Sequence, residues 1–354
     1  AAWPDPRTNI FWESGIQFGH IGGSEIKFTQ GAGLDLLSSG SVVDLVRWYG
    51  PMPKFIDQDH DIRGHARGTA AFYDRRIVIA DWVDVSVRRS VGPDFDVLSR
   101  AMTGPARIAL APDGRLRPWT LPADGSQHEI TVSTAEKLFP IAMVFPFRVA
   151  GRRWDLIASV GGLLHTDGTE PARAFAWECP RRLTASHDLR IAPTMPGIVY
   201  GFWITVRLVP HISPQDADHE ALRLRADFST PAAVRPDVGD IVERAPDREQ
   251  PAAALALDGC FDRGLGVYRL TADAGVATFL LDPLGVVRDD MAFLITDLDV
   301  DTDPTCSVDG TRLAAGSDFQ WQPYPADGLA PSGASLIQLN RRIAEPTMIQ
   351  IRSL

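Results

Sequence analysis

The chain has 354 residues, 45% of them hydrophobic, with 9 Trp and 16 Phe and a formal net charge of −10. That much apolar and aromatic surface supports a sizeable core and excludes a disordered chain, and the length predicts two or three domains. The acidic balance repels phosphate backbones, which argues against nucleic acid as a partner.

Cysteine usage adds a second bound. Cys179, Cys260 and Cys306 are odd in number and far apart, which is neither a disulfide framework nor a zinc pattern. A reducing compartment of synthesis is the simplest reading. No run reaches about 18 consecutive apolar residues, so no membrane-spanning helix is expected. Ala1–Pro6 has no basic region followed by an apolar one and does not read as a signal peptide.

In chain order, Leu34–Trp48 is ambiguous between helix and strand. Arg76–Arg88 alternates apolar and polar residues and predicts a strand. Phe95–Met102 carries one apolar face over two turns and predicts a short helix. Arg107–Ala111 predicts a strand closed by a turn at Pro112–Gly114. Ser133–Leu138 predicts a helical turn with Ser133 or Thr134 as its cap. Ile141–Val149 reads as a strand in which Pro146 calls for an edge or a bulge. Trp154–Val160 predicts a strand. Gly197–Val209 is the most apolar run, and its Val, Ile, Tyr, Phe and Trp content favours a buried strand.

A boundary falls after Phe228. Residues 229–252 are rich in Pro and charge and read as a linker. Beyond it, six short strands are predicted: Gly266–Leu270, Val276–Leu281, Ala292–Thr296, Thr305–Val308, Leu336–Asn340 and Met348–Arg352. Turn residues separate them, among them Asp258-Gly259, Asp273-Ala274-Gly275, Asp282-Pro283 and Asp309-Gly310. The expected fold is all-β: a larger N-terminal β-sandwich or jelly-roll-like region over 1–228, of one or two domains, the linker, and a small antiparallel β-sandwich over 253–354.

Four features bear on chemistry. Asp57–His65 holds three carboxylates and two imidazoles, but on a strand His60 lies opposite Asp57, Asp59 and Asp61, so the plainer reading is a solvated polar loop. Asp297, Asp299 and Asp301 alternate like half of a calcium loop, yet Thr302 stands where the sharp turn needs Gly and no Glu follows at the twelfth position. Cys179 beside Glu178 would need a His nearby to act as a nucleophile, and a free Cys is more often a small buried hydrophobe. Among the Trp residues, Trp119 and Trp321 have polar or turn neighbours and are the candidates for exposed, ligand-stacking rings. The chain contains no GxGxxG, no phosphate loop, no Gly-x-Ser-x-Gly and no His-Glu-x-x-His. No cofactor is implied.

The last fifty residues carry one resemblance. Cys306-Ser307-Val308-Asp309-Gly310-Thr311 ends a strand in a hydrophobe-Asp-Gly turn. Gly316-Ser317-Asp318-Phe319 supplies a second turn. Ser335–Asn340 and Met348–Arg352 follow as alternating strands. This pattern resembles a β-sandwich module of tailed-bacteriophage fibre and baseplate proteins. The resemblance implies a virion structural protein, a tail, baseplate, fibre or capsid-associated component, made in the host cytoplasm. Its partners would be copies of itself and other structural proteins, with neither nucleic acid nor membrane. The alternative is a secreted carbohydrate-active β-sandwich protein, a glycoside hydrolase or glycan-binding module, with Asp59, Asp61 and Glu178 as first candidates for paired carboxylates.

Overall fold

The structure is a computed structural model that describes residues 11–21, 24–26, 33–51, 64–85, 91–98, 106–110, 115–119, 128–130, 141–149, 151–165, 175–177, 182–183, 186–187, 199–242, 257–299, 301–324 and 333–353. Sixteen strands precede the first described helix: β1 (Phe11–Ile21), β2 (Ser24–Ile26), β3 (Gly33–Ser38), β4 (Val43–Pro51), β5 (Gly64–Tyr73), β6 (Ile77–Val85), β7 (Val91–Leu98), β8 (Ala106–Leu110), β9 (Arg117–Trp119), β10 (His128–Ile130), β11 (Ile141–Val149), β12 (Arg152–His165), β13 (Phe175–Trp177), β14 (Arg182–Leu183), β15 (Ser186–His187) and β16 (Val199–Pro210). After α1 (Pro214–Ser229) come β17 (Ala233–Val238), β18 (Asp240–Ile241), β19 (Leu257–Asp258), β20 (Phe261–Asp262), β21 (Val267–Thr271), β22 (Val276–Asp282), β23 (Met291–Thr296), β24 (Thr305–Val308), β25 (Thr311–Arg312), β26 (Phe319–Tyr324), β27 (Ala334–Leu339) and β28 (Thr347–Arg352). The all-β class follows directly. The chain divides into two compact units, one of residues 1–34, 47–69 and 75–225, the other of residues 35–46, 70–74 and 226–354.

The N-terminal half is built on a nine-stranded sheet in the order β3-β4-β5-β6-β16-β12-β11-β8-β9. A four-stranded sheet, β14-β7-β1-β2, and a three-stranded sheet, β10-β13-β15, accompany it. β16 lies between β6 and β12, and this central position explains why its sequence is the most apolar of all. Pro146 sits within an unbroken β11–β12 register, so it makes no bulge. The pairing of β11 with β8 stops at Val144, which leaves Pro146 with a described strand on one side only and needs no donor from it. The ambiguous stretch Leu34–Trp48 resolves into β3 and β4. The helix expected over Phe95–Met102 is instead the strand β7: its backbone pairs with β1 and β14, and cross-strand pairing overrides a two-turn apolar spacing. Ser133–Leu138 lies outside the described residues.

α1 is the element that the strand-by-strand reading of this region does not contain. Its start is capped by Ser213. Ser213 Oγ accepts the Asp216 amide at 3.1 Å and donates to Asp216 Oδ2 at 2.6 Å, and Pro214 takes the first helical position, where its missing N–H costs nothing. Ala217, Ala221 and Leu224, one stripe at helical spacing, pack on Ala109, Ala142, Val144 and Ile157 of the nine-stranded sheet. Those four positions share one face by register. The small side chains allow close approach of helix to sheet.

The second unit holds a two-sheet β-sandwich. Its five-stranded sheet runs β17-β22-β28-β24-β25, and its seven-stranded sheet contains β19-β20-β21-β23-β27-β26, with β18 beside β21. Phe228, Phe261, Tyr268, Phe293 and Phe279 form a run of ring contacts with centroids 4.9–5.7 Å apart, and Phe279–Phe293 joins the two sheets. The expectation of a wholly antiparallel sandwich needs one correction. β21 and β23 are parallel, because β22 lies between them in sequence and crosses to the other sheet. The segment 229–252 is likewise not all linker: β17 pairs with β22 and β18 with β21, while 243–256 lies outside the described residues. Pro236 and Pro323 both fall on strands at the ends of their sheets, where a missing donor is tolerated.

Asp309-Gly310 forms the two-residue hairpin that its sequence predicts. The φ angles are 48° and 75°, and Val308 faces Thr311 across the turn, as a type I′ turn requires. At the second turn the Gly316 amide donates to the Phe319 carbonyl at 2.7 Å, and Phe319 returns to the core, 2% exposed.

The central strands of the seven-stranded sheet, β21, β23 and β27, are buried on both faces. β23 and β27 read as continuous apolar runs for that reason. The face turned away from the five-stranded sheet carries Leu294, Leu336 and Gln322, in one register row. Residues 38–43 lie against this row. Gln322 Oε1 accepts the amides of Val42 and Val43 at 2.7 and 2.9 Å, while Nε2 donates to Ser38 Oγ and the Val43 carbonyl. Tyr73 adds a bond from its hydroxyl to the Leu265 carbonyl at 2.7 Å.

Candidate functional site

Asp59, Asp61 and Glu178 lie outside the described residues, as does Cys179. Trp119 ends β9, and only its backbone is described. Trp321 is half-buried on β26, facing Ile337 in register, and so sits on the row that points toward the five-stranded sheet. Asp297, Asp299 and Asp301 are exposed in the turn after β23, where Asp299 Oδ1 accepts the Asp301 amide at 3.0 Å. Among the described residues no three His, Cys, Asp or Glu side chains are grouped to hold a metal ion.

Three polar constellations that sequence reading does not anticipate emerge instead. The first surrounds the start of α1. Asp155, 2% exposed, sits with one oxygen 3.0 Å from His211 Nδ1, and the same oxygen accepts the Ile212 amide at 3.0 Å. A buried carboxylate that orients an imidazole is the arrangement of a positioned general base. Here it also ties the residues entering the helix to β12. On the same face Arg107 Nε donates to Asp218 at 2.6 Å, and Glu220 accepts from Arg207 and Arg223 at 2.5 Å. These pairs flank the Ala-lined seat and orient α1 on the sheet.

The second constellation closes the other end of α1. Arg288, 1% exposed, donates to Asp227 Oδ1 at 2.9 Å, to the Thr230 carbonyl at 2.5 Å and to the Pro283 carbonyl at 3.2 Å. Arg263 Nε donates to the Phe228 carbonyl at 2.7 Å. Two buried arginines thus satisfy carbonyls that the end of a helix leaves without partners, and they place positive charge at the negative end of the helix dipole.

The third is at the β20–β21 corner. Asp262 Oδ1 accepts the amides of Gly264 and Leu265 at 2.9 and 3.3 Å, and Oδ2 lies 3.9 Å from Arg269. Burial holds the Asp262 carboxyl above its ordinary range, against the pull of Arg269 and the two amides. Burial likewise pushes the Cys306 thiol up to about 12, so it packs as a hydrophobe in the sandwich core. All three constellations satisfy buried groups within one unit. Their evident work is to position elements. No helix among the described residues is long and apolar enough to cross a membrane.

The outward face of the five-stranded sheet is chemically different. Along β28, Met348, Gln350 and Arg352 point outward while Ile349 and Ile351 are buried. In register beside them stand Leu280 and Arg235, Thr278, Ser307 and Arg312. This is an exposed surface of mixed apolar and basic character. Compared with known proteins, the chain matches no family model and no curated protein.

Proposed function

We propose that this chain is a structural component of a bacteriophage particle, from the tail, baseplate, fibre or capsid-associated parts, and that it acts through protein–protein interfaces. The reading rests on the last fifty residues. In its support, the quoted residues include turns and a core position of a β-sandwich: the Asp309-Gly310 hairpin, the Gly316 turn, and Phe319, which is buried. Dense side-chain clasps around rigid sheets suit a part whose surfaces must keep their shape in an assembly.

The test is the solution mass of the full chain across a concentration series, joined to negative-stain microscopy. A discrete oligomer, rings or tubes support the reading. A stable monomer of 38.7 kDa at every concentration overturns it, and glycan hydrolysis becomes the next assay. In that comparison Asp59→Ala and Asp61→Ala are expected to leave assembly intact. Loss of a measured hydrolysis in either variant, with the fold preserved, would turn the assignment toward a glycoside hydrolase.

A further inference from the structure

The face of the five-stranded sheet carries three exposed guanidinium groups, Arg235, Arg312 and Arg352, none in an ion pair among the described residues. Of the carboxylates at its far end, Asp282 accepts the Leu284 amide and Asp309 the Met348 amide, and Glu345, two residues before β28, is exposed. Between the arginines Met348 is 38% exposed and Leu280 half-buried. At the near end the surface changes sign. Asp297, Asp299, Asp301 and Asp303 are all exposed, in the segment that leads into Thr305. Thr305 pairs with Arg352. A basic face and an acidic turn therefore adjoin along one edge of the same sheet.

We propose that this surface binds a second copy of the chain about a two-fold axis, the acidic turn of each copy lying on the arginine face of the other. The inference deepens the structural reading above and rests on it. A patch that places opposite charges side by side is self-complementary under a two-fold rotation, because each half meets its opposite. The arginines give the contact its electrostatic match, and Met348 with Leu280 gives it an apolar centre. Each chain has a net charge of −10, so two copies repel each other overall. A local match of this kind offsets that repulsion, and salt weakens it.

The experiment is sedimentation of the full chain at low salt and at about 1 M, where the screening length falls to roughly 3 Å. It uses two double variants, Arg312→Glu with Arg352→Glu, and Asp301→Arg with Asp303→Arg. All four positions are exposed, and circular dichroism and melting verify the fold. Each variant alone should weaken self-association by at least about tenfold. An equimolar mixture should recover it, since the reversed face of one variant then meets the reversed turn of the other. An oligomer that forms equally well in the parent and in each variant, or a mixture that is not rescued, overturns this interface and leaves the structural reading standing. A parent chain that is monomeric throughout overturns both.

Discussion

A carboxylate buried with too little compensating charge makes folding depend on pH in the reverse of the usual direction, and Asp262 is placed to do so. Its folded-state pKa is raised by burial, so the folded form holds the proton more tightly than the unfolded chain. The stability it contributes is complete below the unfolded value, about 4, and is lost as pH rises through the folded one. Asp262→Asn keeps the oxygen that accepts the Gly264 and Leu265 amides and removes the titration. Melting of parent and variant between pH 4 and 7 should show the balance moving in favour of the variant as pH rises. A difference that stays constant across that window would mean that Asp262 remains ionised when folded. Glycine matters most at Gly239, where φ is +88° and an added Cβ would meet the Thr271 carbonyl oxygen at 2.2 Å.

At the scale of elements, α1 is the piece whose stability is easiest to isolate. Ser213→Ala removes an acceptor for the Asp216 amide and is expected to cost about 1 kcal/mol. Ser213→Asn should recover most of it, read as a shift in the denaturant midpoint of the full chain. The signals for this helix are present in the sequence: Ser213-Pro214-Gln215-Asp216, then Ala217, Ala221, Leu224 and Phe228 at helical spacing. They are quiet because the stripe begins with two alanines and the flanks are charged, and Arg107 supplies part of the seat from a strand 111 residues away from its partner Asp218. Six strands of the C-terminal sandwich, β21 to β24, β27 and β28, are legible to within a residue or two because turn residues bound them, whereas β17 to β20, β25 and β26 are not predicted. β7 is misread as a helix because its partners, β1 and β14, lie about eighty residues to either side in the sequence, and pairing at that distance leaves no local trace.

At the scale of the molecule, strand pairing is joined by side-chain clasps between distant segments, and these clasps are not legible from local pattern. Arg288 and Asp227 are 61 residues apart, and Gln322 and Val42 are 280 apart. Arg288→Ala would take the guanidinium away from the buried Asp227 carboxylate. It should destabilise the chain by about 3–5 kcal/mol, whereas exchanging both partners for apolar residues of similar size should cost far less. Thermal melting of the two variants decides this, and equal losses would mean that the carbonyl bonds of Arg288, not its ion pair, carry the effect. The candidate interface was only half legible. The acidic run stands out in the sequence, but the arginines opposite it come from three separate strands.

The segments 35–46 and 70–74 lie with 226–354 in one compact unit, and this shapes how the chain is made. On the ribosome those two segments emerge well before residues 226–354, and the sheet against which 38–43 lie is complete only when β26 and β27 have been synthesised. Until then Val42, Val43, Leu45, Ala70 and Ala71, all buried in the finished protein, have nowhere to go. Closing a loop of that length makes folding slow and exposes apolar strands in the interval. A nascent chain of this kind has good reason to engage a chaperone until β27 has been synthesised.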